Sequence, residues 1–213
     1  MWALVPVKRL AASKSRLASV LSQSERAELT CRMLEDVLHA LRCAPSVKKI
    51  VVLSNERCID GALAGVERYP EAEEGDVNRS LAAAIESMPQ STQRVLILPA
   101  DVPSVRADDI EALAKAHQEG VLVCPAVVDG GTNALLSSLP LPITLQFGER
   151  SCARHVHAAR VHGVAVQTML RPALARDVDR PADLDWLTDV LHPGRATTYI
   201  RSLRGELAER EAG

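Results

Sequence analysis

Residues able to handle anions and divalent cations collect in four stretches of this 213-residue chain. Pro6–Leu17 carries Lys8, Arg9, Lys14 and Arg16 within nine residues. That charge density suits a triphosphate and, read alone, equally suits a solvated surface loop. Leu98–Pro103 puts Asp101 directly behind an apolar run. A carboxylate there is costly unless a cation meets it; a hard divalent ion shared with phosphate oxygens is one solution, a turn or helix cap the other. Asp177 and Asp179 share one face if their stretch is extended, and Asp183 suits the first turn of a following helix, although all three fit equally as capping residues. The fourth stretch joins Asp129–Leu135, containing Gly130, Gly131 and Thr132, to Phe147–His155, containing Gly148 and Ser151. Glycines and hydroxyls let backbone N–H groups close on an anion, and Ser151 falls near a helix N-terminus; a hairpin turn followed by an N-cap fits the same residues.

Other chemistries have no footing. Neither a P-loop nor a G-x-G-x-x-G pattern occurs, which removes Walker-type and dinucleotide sites. No nucleophile elbow is present, and His155 and His157, two apart, point to different faces of a helix and make poor joint metal ligands. Cys31, Cys43, Cys58, Cys124 and Cys152 are odd in number and widely spaced, so they are expected to be reduced and mostly buried. A net charge of -2 and 2% aromatic residues exclude a basic nucleic-acid binder with stacking platforms. No apolar run reaches the ~18 residues of a membrane-spanning helix. The opening Met1–Pro6 lacks a basic n-region and a cleavage site, so it is not expected to be a signal peptide, and a cytoplasmic protein is expected.

The elements that must position these residues follow from the alternation of apolar and amphipathic runs. Trp2–Val7, Lys49–Ser54, Arg94–Leu98 and Val121–Cys124 read as buried strands, with weaker strands near 66–69 and 164–168. Spacings of three and four predict a helix from an N-cap at Ser24 through Leu41, and further helices near 59–63, 78–88, 106–118, 150–160 and 181–191. This order predicts an α/β protein with a mostly parallel sheet, whose ligands bind beyond the carboxyl ends of the strands, where all four stretches land. Residues 1–192 read as one domain and 193–213 as a polar tail, flexible or docking on a second subunit.

In their order, Lys14–Leu17, Leu98–Pro103, Asp129–Leu135, Phe147–His155 and Asp177–Leu184 resemble the 2-phospho-L-lactate guanylyltransferase family of deazaflavin coenzyme (F-420) biosynthesis, over about residues 2–190. The resemblance implies a GT-A-like Rossmann nucleotidyltransferase fold, a mostly parallel mixed sheet flanked by helices. It implies transfer of GMP from GTP to a small phosphorylated carboxylic acid (2-phospho-L-lactate, phosphoenolpyruvate or 3-phospho-D-glycerate), with release of pyrophosphate. It also implies Mg²⁺ held by Asp101, Asp177 and Asp179, a triphosphate faced by Lys8, Lys14 and Arg16, and catalysis carried by Asp101, Lys14 and Arg16. Gly75, Asn78 and Ser80 would lie near the nucleoside, and Thr132, Gly148 and Ser151 around the acceptor. One departure is Arg180, where family members often carry Thr. A homodimer and a transient contact with the next pathway enzyme are further expectations. The acceptor phosphate, with its second pKa near ~6, is already largely a dianion at pH 7, so the reaction needs no general base. Two alternatives remain open: a molybdenum-cofactor-type nucleotidyltransferase with another base or acceptor, against which Pro6–Lys8 replaces the glycine-rich opening of those relatives, and a non-catalytic nucleotide-binding partner.

Overall fold

Short runs of β-branched residues and leucine, too brief for helices and apolar on both faces, build the frame. A computed structural model describes residues 1–7, 14–71 and 76–212, without the side chains of Cys58 and of residues 206–212; Lys8 and Gly75 lie outside the described residues. The strands are β1 (Trp2–Pro6), β2 (Lys49–Leu53), β3 (Glu67–Tyr69), β4 (Arg94–Ile97), β5 (Val121–Pro125), β6 (Thr132–Ser138) and β7 (Val166–Thr168). They form one sheet in the order β3-β2-β1-β4-β6-β5-β7. β6 pairs antiparallel with β4 and with β5; the other pairings are parallel. The strand order reverses at β1 and β4, which opens a crevice outside their carboxyl ends. Because β6 runs backwards, Thr132 at its start lies on that same edge.

β6 is the element that the sequence reading leaves inside a turn. The glycines stop at Gly131; Thr132 pairs with β5, and Leu135 and Leu136 behind it are claimed by ladders on both sides. Tertiary pairing decides the matter there, as it does for many short strands.

The helices are α1 (Gln23–Cys43), α2 (Val77–Glu86), α3 (Ala107–Ala116), α4 (Ser151–Val161), α5 (Pro181–Thr188) and α6 (Arg195–Ala212). Period-two alternation sends Ala3 and Val5 to one face of the sheet, against Leu34, Val37, Leu38 and Leu41 of α1 and Ile110 and Leu113 of α3. Leu4 points to the other face, with Leu81 and Ala84 of α2 and Ala159 of α4. The cap of α1 is Ser22, two residues before the expected Ser24. Ser22 Oγ accepts from Glu25 N, and Glu25 Oε2 accepts from Ser22 N at 2.6 Å, a reciprocal pair that Ser24 would not form. Among the described cysteines, Cys124 is buried, Cys31 and Cys152 half-buried and Cys43 exposed, so burial is less general than the sequence reading expects. No helix among the described residues is long and apolar enough to cross a membrane.

A third apolar cluster underlies the charged edge. Leu17, from the turn after β1, packs with Leu29 and Met33 of α1, with Val178 and Leu184, and with Ala196 and Ile200 of α6. The segment from 193, which the sequence reading leaves as a tail, thus forms a helix whose first turns are docked. Asp36 of α1 fixes the docking: its carboxylate accepts from Arg195 N at 2.8 Å and Ala196 N at 2.9 Å, capping α6 from another helix. Burial pushes the Asp36 carboxyl up against these bonds. Gly194 makes room, since an added Cβ would lie 2.5 Å from Asp36 Oδ2. Asp36→Ala is expected to lower the unfolding free energy by about 2 kcal/mol in urea titrations, and Asp36→Asn, which keeps an acceptor, by less.

Candidate active site

At the carboxyl ends of β1 and β4, oppositely charged side chains face one another. Lys14 adopts a left-handed backbone (φ 55°) just before the turn at Ser15–Leu17. Its side chain is 4% exposed, and its Nζ lies 2.8 Å from Asp101 Oδ2 and 3.8 Å from Asp179 Oδ1. Arg16 Nη1 donates to Asp179 Oδ2 at 2.6 Å. An ammonium this buried needs carboxylates within contact, and a non-glycine residue held at positive φ marks a segment constrained by its surroundings. Two of the three cations assigned from sequence to the triphosphate, Lys14 and Arg16, are thus paired with two carboxylates assigned to the metal.

The acidic segment before α5 belongs to no helix or strand; Val178 is buried between half-buried Asp177 and Asp179, and both carboxylates lie near Asp101 and Lys14. Backbone and side-chain bonds pin the segment. Asn133 Nδ2 donates to Leu174 O at 3.0 Å, Val127 N to Ala175 O, and Val178 N to Asp101 O at 3.0 Å. Asp183, read as a first-turn residue, accepts from both Asp179 N and Arg180 N, so the cap of α5 also orients Asp179. Arg180 therefore enters through its backbone N–H, which any non-proline residue supplies. Burial first, then the charge of Asp101, push the Asp177 carboxyl above the usual carboxylate range; Lys14 opposes this and Asp129 adds to it.

Thr132, Ser151 and His155 form a second group on the same edge. Ser151 Oγ donates to Thr132 Oγ1 at 2.9 Å, and Thr132 Oγ1 lies 3.1 Å from His155 Nδ1. Gly148, at φ 128°, lies in the segment leading to α4, and its carbonyl accepts from Ser151 N. Thr132, Gly148 and Ser151, assigned together from sequence, are therefore neighbours. His155, which the sequence reading sets aside, is fully buried among them. The turn at 126–131 links the two groups: Asp129 acts on Asp177, and Gly130 O accepts from Cys152 N in the first turn of α4.

On the remaining side, Asn78, in the first turn of α2, clamps the segment that leads to α4. Its Oδ1 accepts from Phe147 N at 2.7 Å and its Nδ2 donates to Phe147 O at 3.2 Å. Both ends of an amide expected near the nucleoside are thus engaged with backbone. Ser80 Oγ is buried with no hydrogen-bond partner among the described residues.

Asp101, Asp177 and Asp179 offer hard oxygen donors and crowd like charges at one spot, which fits a hard divalent cation in chemistry. Among the described residues, however, no three acidic, histidine or cysteine groups are gathered around a common metal point, and the Lys14 ammonium stands between Asp101 and Asp179.

A mixed α/β sheet whose order reverses beside a charged edge is the frame of nucleotidyltransferases, and solved structures share it. A crystal structure from Desulfovibrio desulfuricans superposes with a TM-score of 0.79 at 16% identity, over 98% of this chain and 96% of its own. A nucleotidyl transferase from Methanothermobacter thermautotrophicus gives 0.64 at 16% identity, over 94% and 98%. The chain belongs to the guanylyl transferase CofC-like family, whose profile matches residues 1–212, and it is a nucleotidyltransferase. It is 39% identical over 193 residues to the phosphoenolpyruvate guanylyltransferase of Roseiflexus castenholzii, covering 88% of this chain and 87% of that protein. It is 36% identical over 192 residues to the 3-phospho-D-glycerate guanylyltransferase of Phenylobacterium zucineum (85% and 86%), and 35% over 207 residues to the 2-phospho-L-lactate guanylyltransferase of Methanothermobacter thermautotrophicus (95% and 90%).

Burial, with a smaller contribution from Arg154, pushes His155 down to about 4 from its ordinary 6.5. The unfolded chain then binds a proton that the folded chain refuses. Stability from this residue is complete above pH 6.5 and is lost as pH falls from there to about 4, by about 3 kcal/mol in all. Urea titrations between pH 7 and 4 are expected to show this slope, and His155→Leu to remove that share of it.

Proposed function

We propose that this protein transfers GMP from GTP to a small phosphorylated carboxylic acid, releasing pyrophosphate, as a step of deazaflavin coenzyme (F-420) formation in the cytoplasm. The family supplies the guanylyl transfer, and the acceptors named for the relatives, phosphoenolpyruvate, 3-phospho-D-glycerate and 2-phospho-L-lactate, define the acceptor class. The observation that carries the reading is the Lys14 ammonium, buried against Asp101 and Asp179 at the reversal of the sheet.

A phosphate oxygen of the acceptor attacks the α-phosphorus of GTP. The new P–O bond forms as the bond to the β-phosphate oxygen breaks, and pyrophosphate leaves with that electron pair. The acceptor is already a dianion, so no side chain has to remove a proton. The work left to the protein is to bring two polyanions together in line. Lys14 and Arg16 exchange part of their carboxylate pairing for triphosphate oxygens and hold the α-phosphate. Asp101, Asp177 and Asp179 are the residues that would hold a divalent cation, proposed as Mg²⁺, which when bound neutralises charge on the triphosphate. Movement of the Lys14 ammonium toward phosphate frees the Asp101 and Asp179 carboxylates, which would then be open to such a cation. Thr132, Ser151 and the backbone about Gly148 receive the acceptor; Asn78 and Ser80 belong to the nucleotide side, and Asn78 also holds the Phe147 backbone next to Gly148.

Pyrophosphate release from GTP is expected only when a phosphorylated acid is present; parallel turnover of the three acids ranks them. Asp101→Asn is expected to lower kcat about 100-fold or more while the fold, followed by circular dichroism, is retained. Wild-type turnover in that variant would remove the carboxylate from the mechanism, and pyrophosphate release without any acid would remove the acceptor class.

A further inference from the structure

The acceptor group contains one side chain that neither the sequence reading nor the reaction uses. We propose that His155 is a positioning residue of the acceptor site, fixing the Thr132 hydroxyl as a hydrogen-bond donor to the acceptor's anionic oxygens. The inference rests on the acceptor role given above to Thr132, Gly148 and Ser151.

His155 Nε2 lies 2.9 Å from Gln146 N, whose N–H can only donate. A ring nitrogen that accepts a backbone N–H carries no proton, so in the neutral ring the proton sits on Nδ1. Nδ1–H then donates to Thr132 Oγ1 at 3.1 Å. Ser151 Oγ donates to the same oxygen at 2.9 Å. A hydroxyl oxygen has two acceptor positions, and both are filled. The proton of Thr132 itself must therefore point in a third direction, away from His155 and Ser151. A hydroxyl obliged to donate suits a carboxylate or phosphate oxygen and opposes a donor. The low pKa of the buried ring keeps this arrangement intact at neutral pH. The Phe147 ring, edge-on at 5.0 Å, holds the imidazole plane, and the bond to Gln146 ties the same ring to the backbone that runs into Gly148.

The test is steady-state kinetics of the full chain with GTP and phosphoenolpyruvate, reading KM for each substrate separately. Thr132→Val, which removes the hydroxyl, is expected to raise the KM for phosphoenolpyruvate about tenfold and to leave that for GTP within about twofold. His155→Leu is expected to do the same, and the double variant to be no worse than Thr132→Val alone, since the histidine acts through that hydroxyl. His155→Asn, whose amide keeps a donor where Nδ1 stands, is expected to return the KM to within about threefold of wild type, and serves in the cycle where His155→Leu does not fold. An unchanged acceptor KM in the His155 variants, beside a raised one in Thr132→Val, overturns the role of His155 and leaves the acceptor site standing. Losses that add in the double variant, or Asn no better than Leu at equal thermal stability, overturn it as well. An unchanged acceptor KM in Thr132→Val overturns the acceptor site itself.

Discussion

An ammonium ion can be buried at the edge of a sheet only if carboxylates come to meet it there, and this requirement organises the molecule. Lys14 sits where three distant parts of the chain converge: the turn after β1, the loop after β4, and the segment before α5. Each is fixed separately. Lys14 holds a left-handed backbone, Asp101 O accepts from Val178 N, and Asp183 ties down the N–H groups of Asp179 and Arg180. The result is a preassembled set of opposite charges, and the proposed reaction exchanges their partners for a phosphate and a cation with little movement of backbone. In catalysis by electrostatics, that pre-set geometry is what lowers the barrier.

The antiparallel strand β6 gives the second group of side chains its place. With β6 reversed, Thr132 begins a strand at the edge where β4 ends, and the turn before it reaches both Asp177 and the first turn of α4. The hydroxyls of Thr132 and Ser151, proposed to receive the acceptor, therefore stand on a strand start and a helix start, beside the charges proposed for the nucleotide. Asn78 closes the arrangement from α2 by holding both backbone groups of Phe147.

Much of this was legible in the sequence, for physical reasons. Strands buried on both faces show as unbroken apolar runs, and β1, β2, β4 and β5 were visible in that way. Carboxylates and lysines placed at strand ends also stood out, because such positions are costly without a partner. What escaped depends on distance along the chain. That Lys14 and Arg16 pair with Asp101 and Asp179 is a contact across 87 to 163 residues, which composition does not encode. β6 was hidden behind Gly130 and Gly131, since its strand character comes from two neighbouring ladders. His155 looked idle because spacing to His157 tests only for a shared metal; its partners, Gln146 N and Thr132, are found by folding. A reciprocal Ser22–Glu25 pair was readable, yet Ser24 offered a competing cap in the same turn.

The docked C-terminal helix carries one more consequence. Ala196 and Ile200 share a cluster with Leu17 and Val178, and these two residues are the apolar footings of the Lys14–Arg16 turn and the Asp177–Asp179 segment. The last helix is thus a floor beneath both halves of the charge pair. Shortening the chain just before Arg195 would strip hydrophobic support from under the charged edge while leaving Lys14, Arg16, Asp101, Asp177 and Asp179 all in the sequence.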